Sequence, residues 1–481
     1  MTASSKRNIP VRNPRTGAVD HHIVAPDADQ LGQLAARLRA GQVKWADAGV
    51  ARRIEVLQAW SARLMATPAP VIDALAIDTG RHLLARSELQ SVAGMVAGNV
   101  ALAGRVLLPS GSAAAERASM TAGIGIQTQL VPYGLIGVIS PWNFPLLLSM
   151  LDTIPALLAG CAVIVKPSEV TPRFVAPLMA SLEGFPELAA VLAFITGDGA
   201  TGAALIDQVD AVCFTGSVPT GRKVAEACAA RFIPAFLELG GKDPVIVLDS
   251  ADPDRAAAIV LRASVQATGQ ACQSLERVYV DHRIAPAFID RLVARADAVE
   301  LNFPDSHRGQ VGPLIFERQA EIIAGQLKDA AAKGARIRSG GHIERHGGGL
   351  WLRPTVVTDV RHDMTLLTEE TFGPVMPVMV YENVDDAVRL ANESIYGLSG
   401  AVLGEEDQAL AVARRLNVGA VSINDGGLTT EVFDAEKNAF KLSGLGASRM
   451  GPSGLLRFLR NKALLIQRGQ AKDISALDEA G

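Results

Sequence analysis

The sequence predicts an α/β protein with parallel sheets, and three observations carry the prediction. Short apolar, β-rich runs alternate with segments of helical spacing. No repeat with a period of about 20–50 residues is present, which excludes solenoids and propellers. The chain has 481 residues, 49% of them hydrophobic, enough for two or three buried cores.

The first set of strands is expected at residues 135–140, 162–166, 192–196 and 211–215, with helical crossovers between them. A second α/β domain is expected to begin near Gly240 and Gly241. There Asp252 and Pro253 read as the cap and first turn of a helix, and later strands are expected at 355–358, 375–381 and 419–423. Residues 120–130 alternate partly in polarity and read as an extended ribbon. An exposed ribbon edge invites pairing, so a partner subunit is expected to cover it. The polar tail from Ala471 is expected to fray.

With 46 Lys and Arg against 50 Asp and Glu, the net charge is −4, which offers no basis for nucleic-acid binding. Four cysteines, Cys161, Cys213, Cys228 and Cys272, lack CxxC spacing, so no metal site is expected and a reduced compartment is the simpler reading. The amino terminus has no apolar leader core. The most apolar stretch, 133–165, is broken by Pro141, Pro145, Asp152 and Pro155, so no membrane span is expected and a cytoplasmic location is.

Several motifs sit where strands end. Gly197-Asp-Gly-Ala-Thr-Gly202, which includes Gly199, has the spacing of a dinucleotide fingerprint. The acidic residue expected about 20 positions later is absent, so a plain Gly-rich turn is equally compatible. Phe214-Thr-Gly-Ser217 ends a strand ahead of a helix, and free N–H groups there, with the Ser217 hydroxyl, suit a pyrophosphate or a capped turn. Lys166 and Glu169 lie just past another strand, where a carboxylate suits ribose hydroxyls and repels a 2′-phosphate; a solvated lysine and a helix-starting glutamate are the commoner fate. Pro141-Trp-Asn-Phe-Pro145 presents the Asn143 amide, either as an oxyanion donor or as the side chain of a buried turn. Glu238 is the single carboxylate in Leu237-Glu-Leu-Gly-Gly-Lys242: burial would raise it towards general-base duty, or it pairs with Lys242. Cys272, flanked by amides and a hydroxyl in Gly269-Gln-Ala-Cys-Gln-Ser274, is the one convincing nucleophile among the cysteines.

Taken in order, these motifs, with Glu369-Glu-Thr-Phe-Gly-Pro374 and Asn392-Glu-Ser-Ile-Tyr-Gly-Leu398, resemble the aldehyde dehydrogenase superfamily from about Asn13 to Lys462. The resemblance implies a cofactor domain (1–112 and 133–240), a catalytic domain (241–440), a bridging oligomerisation element (113–132 and 441–470) and a tail (471–481). It implies Cys272 as nucleophile, Glu238 as base and Asn143 as oxyanion donor, the same three that the residues nominate. Around the cofactor it implies Ser140, Trp142, Lys166, Glu169, Gly199, Phe214, Gly216, Ser217 and Leu239, with Gln319, Glu370 and Phe372 toward the nicotinamide half. Gln319 rests on a looser match. Homodimers or homotetramers are implied as well.

The expected reaction oxidises an aldehyde to its acid with NAD. NADP is less favoured because of Glu169, although Lys166 and Ser168 leave room for it. A CoA-acylating enzyme is the alternative that Glu238 argues against, and a catalytically silent homologue would normally have lost its nucleophile. The chain departs from the family near its end: Pro-Phe-Gly-Gly-x-Lys-x-Ser-Gly becomes Glu436-Lys-Asn-Ala-Phe-Lys-Leu-Ser-Gly444, and the Arg-Glu that follows becomes Ala447-Ser-Arg-Met450. Leu148 and Leu151 are expected as an apolar substrate wall, with Gln266 and Thr429 at the mouth. No basic cluster is visible among these positions, so an uncharged hydrophobic or aromatic aldehyde is expected.

Overall fold

The computed structural model describes residues 7–108 and 116–479. The expectations for residues 1–6, 109–115, 480 and 481 therefore fall outside the described part.

Two sheets organise the molecule. In the first, strands run in the order Gly444–Leu445, Ala235–Glu238, Ala211–Thr215, Leu135–Ile139, Ala162–Lys166, Leu192–Phe194. All pair in parallel except Gly444–Leu445, which is antiparallel to its neighbour. The central strands are apolar throughout because both faces are covered, and every residue from Leu135 to Ile139 and from Ala162 to Lys166 is buried. One face packs on the helix Pro145–Ala159, thirteen of whose residues are buried. The sheet's core also takes in four amino-terminal helices, Ala28–Asp47, Gly49–Ala66, Ala69–Thr79 and His82–Val106. These begin with a capping box between Asp27 and Gln30.

The second sheet has the order Arg336–Ser339, Thr355–Thr358, Val375–Tyr381, Leu275–Asp281, Asp243–Val247, Ser399–Leu403, Ala420–Ile423. Only Arg336–Ser339 is antiparallel. Helix Pro253–Val265 starts as expected, with Asp252 accepting the Arg255 N–H and Pro253 in the first turn.

The ribbon takes shape as Ile124–Pro132 held between Arg117–Ala118 and the nine-residue strand Leu459–Gln467. Residues 441–470 are thus divided. Gly444–Leu445 closes the edge of the first sheet opposite Leu237 and Glu238, helix Gly451–Leu456 packs on Pro145–Ala159, and the rest reaches the ribbon. The tail forms a short turn, Ile474–Leu477, that Asp473 caps through the Ser475 N–H. Among the described residues no helix is long and apolar enough to cross a membrane.

Candidate active site

In the first sheet the chain leaves Leu135–Ile139 for the strands on one side and later returns to Ala211–Thr215 on the other. That reversal opens a crevice beyond the carboxyl ends of these two strands, where doubly wound sheets bind nucleotides. Both exits feed it: Pro141-Trp-Asn143 from one strand, Gly216-Ser217 from the other. Together with Leu239, Gln319, Glu370 and Phe372 they line a narrow cavity of about 120 Å³. Ser217 precedes helix Val218–Ala230, whose first N–H groups face this end. A Cβ on Gly216 would meet the Phe214 ring at 2.6 Å, so the turn needs glycine there. These features fit a dinucleotide: a helix N-terminus, a side-chain-free turn and a crevice at the strand ends.

Lys166 is buried, and its ammonium donates to Glu169 at 3.3 Å and to the Gly197 carbonyl at 2.9 Å. Gly199 begins helix Gly199–Ile206, where Asp198 caps the Ala200 and Thr201 N–H groups, so this fingerprint-like turn is already closed by its own carboxylate. Ser140, Phe214 and Gly199 do not line the cavity. The Ser140 hydroxyl lies 2.6 Å from that of Ser149 inside the core, and Phe214 is buried beneath Gly216.

A second cavity, about 520 Å³, opens on the other side of Cys272. It shares Cys272, Leu148 and Thr215 with the first, so the thiol stands where the two meet. All four expected substrate-side residues, Leu148, Leu151, Gln266 and Thr429, line it, together with Glu238. Among the described residues the Glu238 carboxylate receives no hydrogen bond. Burial pushes its pKa above the ordinary carboxylate value, opposed by Arg449, Lys437 and Arg457 and reinforced by Asp152. The alternative pairing of Glu238 with Lys242 does not form. Lys242 donates instead to Glu276 and to the Thr371 hydroxyl, both at 2.7 Å. Glu276 in turn accepts the Thr371 and Phe372 N–H groups at 2.8 and 2.7 Å, fixing the loop that carries Glu370 and Phe372.

The segment before the thiol is wound tightly. Ala267, Thr268 and Gly269 all have left-handed backbones, at φ 56°, 62° and 67°. Arg81 donates to the Ala267 carbonyl at 2.6 Å, the Thr268 hydroxyl accepts the Gly312 N–H at 3.0 Å, and the Gln270 amide bridges to Ile315 at 2.9 Å. Asn143 is buried and lines the narrow cavity; its amide donates to the Gln270 carbonyl at 2.9 Å, which leaves its second amide N–H free of a partner among the described residues. The Cys272 N–H makes no hydrogen bond among the described residues. Burial pushes the Cys272 thiol up to about 12, with the Glu370, Asp243 and Glu238 carboxylates adding to the rise and Lys437 opposing it.

Two basic residues escaped the sequence reading. Lys437 and Arg449 both line the larger cavity, contributed by the segment that departs from the family pattern. The sequence shows no basic cluster among the substrate-side positions named above; these two cationic residues are remote in sequence from the motifs around Cys272, and tertiary packing brings them to the cavity. Arg449 pairs with the buried Asp152 at 2.7 Å, as does Arg457, and Glu88 on helix His82–Val106 forms part of the opposite wall. No local signal marks Glu88, because its helix contributes to the cavity only through packing.

The Aldehyde dehydrogenase family model matches residues 1–464. A Mycolicibacterium smegmatis protein named "Putative succinate-semialdehyde dehydrogenase [NADP(+)]" is 32% identical over 96% of this chain and 90% of its own length. A Streptomyces coelicolor 3,6-anhydro-alpha-L-galactose dehydrogenase is 31% identical over 96% of this chain and 94% of its own. A solved Anabaena variabilis structure, described as "Putative Aldehyde Dehydrogenase PutA", superposes with a TM-score of 0.94 at 51% identity, covering 97% of this chain and 99% of that one. A family match over nearly the whole length, the same two-sheet architecture and a cysteine at the meeting point of two cavities agree: the chain belongs to the aldehyde dehydrogenase family.

Proposed function

We propose that this nicotinamide-dependent aldehyde dehydrogenase is of the hydrolytic kind, with Cys272 as nucleophile, Glu238 as the base for the attacking water and Asn143 as oxyanion donor. The observation that carries the reading is the position of Cys272, shared by a narrow cavity on the sheet crevice and a wide one that holds Glu238.

The thiolate attacks the aldehyde carbonyl to give a thiohemiacetal. The free amide N–H of Asn143 and the Cys272 N–H are the donors available to its oxyanion, a contribution whose loss costs about 10²–10³ in rate. A nicotinamide held by the narrow cavity would supply the hydride acceptor, and Cys272 would carry the acyl group as a thioester once hydride has left. Glu238 then takes a proton from water, which adds to the thioester and releases the acid and the thiol. Its raised pKa suits that task, because a base works best with a pKa near the operating pH. Trp142, Gly216, Ser217, Leu239, Gln319, Glu370 and Phe372 would hold the dinucleotide in the narrow cavity, with Lys166 and Glu169 beside its ribose.

NAD is proposed as the preferred cofactor, since the Glu169 carboxylate would repel a 2′-phosphate. The relative named for NADP(+) supports the opposite preference, and Lys166 is the residue that would serve it. For the substrate, the walls formed by Leu84, Phe144, Leu147, Leu148, Leu151 and Phe433 support a bulky apolar or aromatic aldehyde. A carboxylate-bearing semialdehyde is the second reading, favoured by Lys437 and by the name of the M. smegmatis relative.

NADH or NADPH formation across benzaldehydes, alkanals and succinic semialdehyde, with CoA added or omitted, tests the proposal. Turnover without CoA and a higher kcat/KM with NAD and aromatic aldehydes are expected. Turnover only with CoA would remove the role given to Glu238, and a higher kcat/KM with NADP would overturn the cofactor assignment. The proposed assembly is a dimer or tetramer joined through the ribbon, because Leu459–Gln467 is an edge strand on which Leu465 is 71% exposed.

A further inference from the structure

Lys437 is the cationic side chain of the larger cavity that makes no ion pair with a carboxylate among the described residues; Arg449, its other basic residue, is committed to Asp152. The Lys437 ammonium is fixed by neutral acceptors. It donates to the Thr429 carbonyl at 2.8 Å, and the Gln273 amide, oriented with its nitrogen on Thr429, offers its oxygen at 3.0 Å. Gln273 is the residue after the thiol. The ammonium is thus tied, through one side chain, to the segment that carries Cys272, in the cavity that also holds Glu238.

Cys272 otherwise lies among buried carboxyl groups. Burial most of all opposes its ionisation, and Glu370, Asp243 and Glu238 add to it. Burial lowers the Lys437 pKa below the ordinary lysine value, with Arg449 adding to the fall, while Glu238, Cys272 and Asp243 oppose it and favour the charged form. A nearby cation is one of the features that favour a thiolate in such a site. We propose that the Lys437 ammonium is the counter-charge that stabilises the Cys272 thiolate as it forms, acting as a positioning charge from the substrate side of the cavity. The proposal rests on Cys272 being the nucleophile, and it goes beyond that assignment by naming the group that activates it.

The test is the pH dependence of Cys272 alkylation by iodoacetamide, a neutral reagent, read by mass spectrometry of the Cys272 peptide in the full-length protein. Lys437→Met is expected to slow alkylation at pH 8 roughly tenfold and move the curve to higher pH, the size of a one-unit change in thiol pKa. Lys437→Arg should restore most of the wild-type curve. Lys437→Gln, which keeps a donor for Thr429, should behave like Lys437→Met and covers the case in which methionine perturbs folding; thermal melting identifies that case. Superimposable curves for wild type and the neutral variants would overturn the proposal. So would unchanged alkylation with turnover lost only on carboxylate-bearing aldehydes, which would make Lys437 a substrate anchor. Because alkylation needs no aldehyde turnover, this result stands apart from the outcome of the substrate panel.

Discussion

Glu238 and Asn143 illustrate how one residue's surroundings choose between two readings of a motif. The Leu237-Glu-Leu-Gly-Gly-Lys242 sequence allowed a local ion pair, but Lys242 is drawn away by the buried Glu276, so the Glu238 carboxylate stays free on the cavity wall. Replacing Glu238 with Gln should preserve a pre-steady-state burst of reduced cofactor and lower steady-state turnover by about 10²–10⁴, the usual worth of a general base. Loss of the burst as well would show that the carboxylate acts before hydride leaves. Asn143→Ala should instead diminish the burst itself, by about 10²–10³ in rate. Since burial raises Glu238, the acid limb of thioester hydrolysis should lie above the ordinary glutamate value of about 4.3. Arg449 and Lys437 favour the charged carboxylate, so neutralising Lys437 should move that limb to still higher pH. A hydrolysis profile that moved to lower pH would contradict the arrangement.

The segment Gln266–Gly269, a single tight turn, shows what a motif demands of its backbone. Three consecutive left-handed residues are costly, about 1–3 kcal/mol for each that is not glycine, and they persist because Arg81 holds Ala267 and Gly312 holds Thr268. Gly269 has the least room. A Cβ there would lie 2.3 Å from the Gly373 carbonyl carbon and 2.5 Å from the Pro374 nitrogen, both backbone. Gly269→Ala should therefore displace either the Cys272 turn or the Glu370–Phe372 loop. Thermal melting should fall by several degrees, with Cys272 alkylation and cofactor affinity both altered; a variant with wild-type melting and turnover would show that the contact yields easily. On the far side of that contact, the Lys242–Glu276 pair is fully buried, and breaking one partner of such a pair typically costs about 3–5 kcal/mol.

In the molecule as a whole, the late chain returns to complete what the early chain began. Gly444–Leu445 closes the sheet edge beside Glu238, Arg449 and Arg457 meet Asp152 beneath it, and Leu459–Gln467 pairs with Ile124–Pro132 along nine register positions. That ribbon leaves one long edge strand carrying Leu464 and Leu465 outward. Leu465→Glu should reduce the assembled mass in light scattering if the ribbon joins subunits. An unchanged mass would place the interface elsewhere.

Much of this was legible in the residues. Strands at 162–166, 211–215, 355–358 and 375–381 match their expected positions, because buried parallel strands are short apolar runs bounded by turn residues, a pattern that survives any tertiary context. The motifs at strand ends were legible for the same reason, since a strand end, a glycine and a polar residue are adjacent in the chain. The four amino-terminal helices joining the first core, the division of residues 441–470, and the arrival of Lys437, Arg449 and Glu88 at the cavity were not. Each depends on contacts between residues far apart in the chain, which no local pattern encodes. Local chemistry settled which side chains can react, and long-range packing determines which charges surround them.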